Sequence, residues 1–209
     1  MKGSASSYQV VLGDAFEALP REVRAFHDGR GPHRWSGTAT IRRGRGPLAR
    51  LAALAFGLPK AGEAVPVSVL VEPWGSGEAW TRDFGGHVLR STQWAGSDRG
   101  ERLLFERFGP ICVGAALVRN GDRLHLVQRR ATCLGLPLPR WLWPSGEAVE
   151  TASDGRFRFD VTIRAPLIGL VVAYRGHLMD ASGAPGSDPV TGPRTSGDRA
   201  IPSRRERHP

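Results

Sequence analysis

Gly155-Arg156-Phe157-Arg158-Phe159-Asp160-Val161-Thr162-Ile163-Arg164 alternates with a period of two. Phe157, Phe159, Val161 and Ile163 fall on one side, and Arg156, Arg158, Asp160, Thr162 and Arg164 on the other. That is the pattern of a strand with one dry and one wet face. The Asp154-Gly155 pair ahead of it is a hairpin signal. Working outward, similar short runs recur at 65–73, 78–84, 87–95, 102–108, 112–119, 123–132, 147–151 and 167–179. Gly75-Ser76-Gly77, Gly85-Gly86 and Asn120-Gly121-Asp122 stand between them as turns. Short strands joined by tight turns, with no alternation of strand and helix, predict an antiparallel meander.

The N-terminal third adds helices. Tyr8, Val11, Leu12, Phe16, Leu19, Val23 and Phe26 recur at spacings of three and four, and Pro20 interrupts the stripe, so two helices are expected near 8–18 and 20–28. From His33 the period returns to two, with Trp35, Gly37, Ala39 and Ile41 on one face. Pro47 then opens a short helix that is apolar nearly all round and closes at Gly57 and Pro59. Such a helix is buried, caps a barrel mouth or lies on a membrane. The expected fold is α+β: an antiparallel curved β-sheet or partly closed β-barrel, with N-terminal helices and one short capping helix. One domain over 8–180 is expected, flanked by a disordered N-terminus (1–7) and a disordered Pro/Gly/Ser/Arg tail (181–209) with almost no large apolar side chain.

The chain has 209 residues and a formal charge of +9, and of its 29 basic residues only Lys2 and Lys60 are lysine. The arginines are spread along the chain rather than gathered on one element. No helix-turn-helix, zinc spacing or aromatic ribonucleoprotein motif accompanies them, which argues against a nucleic-acid partner. No apolar run approaches the ~20 residues of a membrane-spanning helix, and no apolar segment follows Lys2, so a cytoplasmic location is expected. Cys112 and Cys133 are expected to be two buried thiols. The histidines have no metal-ligand spacing, and no Gly-x-Gly-x-x-Gly follows a strand, so neither a metal nor a cofactor is expected.

Several stretches stand out as candidate sites. Trp80, Arg82 and Phe84 project together, as do Leu104, Glu106 and Phe108, placing charges between aromatics on one strand face. With Phe159 and Tyr174 they could line a cavity, with Arg82 open to an anionic head group and Glu106 the best candidate for an acid or base. A buried Arg82–Glu106 ion pair is the competing structural reading. Arg42, Arg43 and Arg45, interleaved with Gly44 and Gly46 before the Pro47 helix, form an anion-site candidate set against a solvated turn. The Pro-rich stretch 134–143, with Trp141 and Trp143, needs cover: either it folds over the barrel as a lid, or it docks a partner or a membrane surface.

Leu12-Gly13-Asp14-Ala15-Phe16, His27-Asp28-Gly29, Gly44-Arg45-Gly46-Pro47-Leu48-Ala49-Arg50, Arg82-Asp83-Phe84-Gly85-Gly86, Glu106-Arg107-Phe108-Gly109-Pro110 and Tyr174-Arg175-Gly176 occur in this order. Together they resemble an uncharacterised bacterial family of domains of unknown function. Its members occur alone or fused behind a saccharopine-dehydrogenase-like dinucleotide-binding domain. The resemblance runs from about Tyr8 to Leu178 and brings no catalytic residue with it. It implies a partnership with a dinucleotide-binding oxidoreductase.

Three functions are therefore expected in order. The first is noncatalytic binding of a small apolar or amphipathic ligand, with an anionic head, in a barrel-like cavity. The second is docking to such an oxidoreductase through Trp141 and Trp143. The third is an enzyme acting on a lipid-like substrate through Glu106.

Overall fold

The computed structural model describes residues 5–29, 31–97 and 102–182. A capping box opens it: Ser6 Oγ accepts the Gln9 N–H at 3.2 Å, and Gln9 Oε1 accepts the Ser6 N–H at 2.8 Å. Helix α1 (Ser7–Leu12) starts there. Ser6 and Ser7 are buried, and the Ser7 N–H donates to Glu78 Oε1 at 3.2 Å. The expected disorder of 1–7 is corrected at these two residues, because the cap and Glu78 tie them down; residues 1–4 lie outside the described part. The first helix is shorter than expected. Gly13, at φ 55, ends it, and Gly13–Phe16 continues as a 3-10 turn before α2 (Arg21–Phe26).

Eleven strands follow: β1 (His33–Arg43), β2 (Gly62–Trp74), β3 (Gly77–Phe84), β4 (His87–Ala95), β5 (Leu104–Phe108), β6 (Ile111–Asn120), β7 (Arg123–Cys133), β8 (Leu136–Pro137), β9 (Ser145–Ser153), β10 (Arg156–Ala165) and β11 (Gly169–Asp180). Helix α3 (Pro47–Ala55) lies between β1 and β2. Sequential antiparallel hairpins run from β1 to β7, β7 pairs with β9, and β11 returns to β1 with Trp35 opposite Asp180 and Arg43 opposite Val172. Ten strands thus close into a barrel, with β8 a two-residue appendage on β7. Closure removes the free edges that a curved open sheet would present.

The period-two faces point as expected. Trp35, Ala39, Ile41, Val67, Val69, Trp80, Phe84 and Phe157 face inward and are buried. One end is plugged by the N-terminal helices: Tyr8, Phe16, Leu19, Val23 and Phe26 join the core, and the Phe26 ring stacks on Phe157 at 4.0 Å between centroids. At the opposite end, the mouth, inward residues such as Phe108, Val161, Ile163 and Tyr174 are only half-buried. A Cβ at Gly176 would collide with the Thr38 carbonyl and the Phe159 ring, so glycine there lets Phe159 lie against the wall.

Two expectations are corrected. The Pro47 helix neither buries its leucines nor caps the barrel with them: α3 lies along β11 on Ala49 and Ala53, leaving Leu48, Leu51, Leu54 and Phe56 exposed. The approach admits only small groups, since a Cβ at Gly44 would meet the Leu170 carbonyl and the Ala49 methyl. Cys112 and Cys133 are half-buried rather than buried, and both are free. In the register Ile111 faces Cys133 and Cys112 faces Thr132, so the two thiols project to opposite sides of the wall. The expected tail lies outside the described residues from 183 onward. No helix among the described residues is long and apolar enough to cross a membrane.

Candidate functional site

The seven residues expected to line a cavity do share the inner wall. Arg82 on β3 donates from Nη2 to Glu106 Oε1 on β5 at 2.9 Å and from Nη1 to Ser91 Oγ on β4 at 2.8 Å, and Ser91 Oγ donates to Glu106 Oε1 at 2.7 Å. The guanidinium also lies over the Trp80 ring, 4.6 Å from its centroid. The side chains of Arg82 and Glu106 are 14% and 17% exposed. Burial disfavours the Arg82 charge, yet the neighbouring Glu106 carboxylate holds its pKa above the ordinary value. Arg82 is therefore committed inside the wall and is not open to a head group as expected. Phe84, Phe159 and Tyr174 form one aromatic group, with Tyr174 centroids 5.4 and 6.0 Å from the other two.

A second polar group escaped the sequence reading. His27 Nε2 is 2.7 Å from Glu150 Oε2, and the His27 ring stacks on Tyr8 at 3.5 Å. Glu78, besides holding the Ser7 N–H, accepts the Trp80 Nε1–H at 3.2 Å. Parity places Glu78 with Trp80 and Glu150 between Ala148 and Ala152 on inward faces, a signal present in the sequence. These contacts pin the plug to the wall. Every carboxylate in both groups already has a partner, which is how buried charge is tolerated.

Tyr8 and Tyr174 are the only tyrosines in the chain, and both lie in this interior. Burial raises both phenols; nearby Glu150, Glu106 and Glu78 reinforce this for Tyr8, whereas Arg82 opposes it for Tyr174, which is pushed up to about 12. A phenol pKa above its unfolded value of 10.0 means that the native state keeps a proton the unfolded chain gives up. The associated stability is complete below pH 10 and is lost as pH rises through 12. A urea midpoint that falls across this window, with phenolate absorbance appearing together with unfolding, is expected. Ordinary phenol titration near pH 10 in folded protein would show solvated rings instead.

A substantial open volume lies elsewhere. β7 and β9 pair only from Leu124 to Leu126 against Glu150 to Ala148, and beyond this they part. The gap is a cleft of about 550 Å³ lined by His125–Arg129, Arg140 and Trp143–Ala148. None of Trp80, Arg82, Phe84, Glu106, Phe108, Phe159 or Tyr174 lines it. Two of its lining residues, His125 and Gln128, each have a buried side-chain nitrogen without a hydrogen-bond partner among the described residues, on opposite faces of β7. Trp143 donates from Nε1 to the Leu138 carbonyl at 2.7 Å, and the Arg140 guanidinium lies 5.7 Å from the Trp143 ring centroid.

The 134–143 stretch is not a lid. Leu134, Leu136 and Trp141 are 80%, 72% and 67% exposed, because β8 pairs along β7 and carries the connection outward from the barrel. Of the arginine turn, Arg42 and Arg45 are exposed, while Arg43, in register with Val172, is half-buried on the inward side of the rim. The side chain of none of the three makes a hydrogen bond or ion pair with another described residue. Among the described residues no group of three or more His, Cys, Asp or Glu is placed to hold a metal.

No curated protein and no solved structure matches the chain. One family profile does, over residues 19–178, which takes in the second plug helix and the eleven strands but for the last two residues of β11. The chain therefore belongs to the family described as Domain of unknown function (DUF4166).

Proposed function

We propose that the barrel binds a small amphipathic ligand noncatalytically, in the cleft between β7 and β9. The observation that carries this reading is a cleft of about 550 Å³ that brings apolar Leu126, Val127, Trp143 and Ala148 together with the cationic Arg140. Ligand pockets of a few hundred Å³ combine apolar walls with a few polar groups. Arg140 at the edge suits an anionic end. A ligand with an apolar body and an anionic end meets both features. Glu106 has no part in it, being held by Arg82 and Ser91.

The test is native mass spectrometry of the purified chain followed by denaturing extraction, then titration with an anilinonaphthalene sulfonate, whose rings and sulfonate match the required chemistry. Saturable one-to-one binding is expected. Ser145→Trp, at an exposed position on the cleft wall, is expected to weaken it by about tenfold or more with an unchanged melting temperature. Arg140→Gln, at an exposed position, removes the cation at the edge of the cleft and is expected to weaken binding severalfold without loss of stability. An empty chain that binds no probe, or equal affinity in both variants, would remove the cleft from consideration.

A further inference from the structure

We infer that the mouth of the barrel docks onto an anionic phospholipid surface. This is independent of the cleft and of whether it holds a ligand. The antiparallel topology brings the 44–61, 134–144 and 166–168 connections to the same end, opposite the helical plug. Their tips expose large apolar side chains that no other described residue covers: Leu51 62%, Leu54 79%, Leu134 80%, Leu136 72%, Trp141 67% and Leu167 93%. Single exposed leucines are ordinary, but six on three separate connections at one rim make an unusual concentration.

Charge selects the occupant. Residues 42–63, 134–147 and 164–168 hold seven Arg or Lys against two carboxylates, and one of those two, Glu63, is engaged by the Thr40 hydroxyl at 2.6 Å. The remaining mouth turns change nothing, since Asp83 and Arg107 offset one another. Leucine and tryptophan tips ringed by arginine match a bilayer interface: the tips enter the acyl boundary while the guanidiniums stay with phosphate. A protein partner would have to be broadly acidic and apolar over all three connections at once.

Flotation of the full chain with phosphatidylcholine vesicles, with and without phosphatidylglycerol, tests this. Binding is expected only with the anionic lipid and is expected to weaken with salt. Leu51→Glu combined with Leu54→Glu should lower it by roughly tenfold or more, with unchanged circular dichroism and melting temperature, since both side chains are exposed. Leu167→Asp, on a different connection, should also weaken it. Arg123→Glu, exposed at the plugged end, should not. Failure to float with anionic vesicles overturns the inference. So does flotation that rim substitutions leave unchanged, which would assign binding to arginines elsewhere in the chain. A rim-dependent dimer in sedimentation, without lipid binding, would make the rim a contact between copies.

Discussion

Phe26→Ala is expected to lower stability by about 3–5 kcal/mol, the range for truncating a buried aromatic that leaves a cavity. Phe26 is the last residue of α2, so its contacts decide whether the helices are a loose N-terminal attachment or part of the core. Its ring stacks on Phe157 and meets Trp35, Trp80 and His27 edge-on at 5.2, 5.5 and 4.9 Å between centroids. His27 follows Phe26 at the end of α2, and the other three partners sit on β1, β3 and β10, strands held in a closed ring of hydrogen bonds, so the wall can relax inward only slightly to fill the space. The loss should appear as a lower urea midpoint with an unchanged slope, followed through tryptophan fluorescence. Leu54→Ala, on the exposed face of α3, should move the midpoint by less than about 0.5 kcal/mol in equivalent stability. Equal effects at the two sites would mean that the plug is not part of the cooperative unit.

What the sequence made legible follows from the range of the forces involved. Strand faces depend on residues two apart, so the inward set Phe157, Phe159, Val161 and Ile163 could be read directly, as could the shared facing of Trp80, Arg82 and Phe84. Turns were legible for the same reason; Asp154 and Gly155 adopt φ 54 and 67, as a tight hairpin requires. Barrel closure was not, because β1–β11 and β7–β9 join segments far apart in the chain and leave no local period. The His27–Glu150 contact, spanning 123 residues, is of the same kind. The Ser6…Gln9 capping box is local too, two residues three apart that fix the start of α1.

Apolar character was also read more readily than its cover. Leucines on α3 and in 134–143 say only that they would gain from burial, and the fold leaves them at the rim. The cleft was invisible for a further reason. It exists because β9 meets β7 only from Ala148 onward, leaving 145–147 apart from it, and neither strand's alternation records where its neighbour departs.

Glu106→Gln is expected to cost about 3 kcal/mol, near the lower end for breaking a buried ion pair, since both side chains keep slight solvent contact. The loss arises mainly at Arg82, whose guanidinium would stay on the inner wall over Trp80 with only Ser91 Oγ and a neutral amide as acceptors. Removing both charges should be far milder: Arg82→Met with Glu106→Leu leaves no unpaired ion and is expected to lie within about 1 kcal/mol of the parent. The cycle closed with the singles Arg82→Met and Glu106→Leu should then return a coupling of about 2 kcal/mol or more between the two sites. Ser91→Ala, which removes one neutral donor and acceptor from the group, is expected to cost about 1 kcal/mol. The cycle also bears on acid–base chemistry at this position. An acid or base must be available to a substrate, whereas Glu106 accepts from two donors inside the wall and does not line the cleft. If Glu106→Gln left stability untouched, the carboxylate would not be needed by Arg82, and the argument against acid–base chemistry at this position would fail. A large, strongly coupled loss makes the pair part of what holds the barrel together.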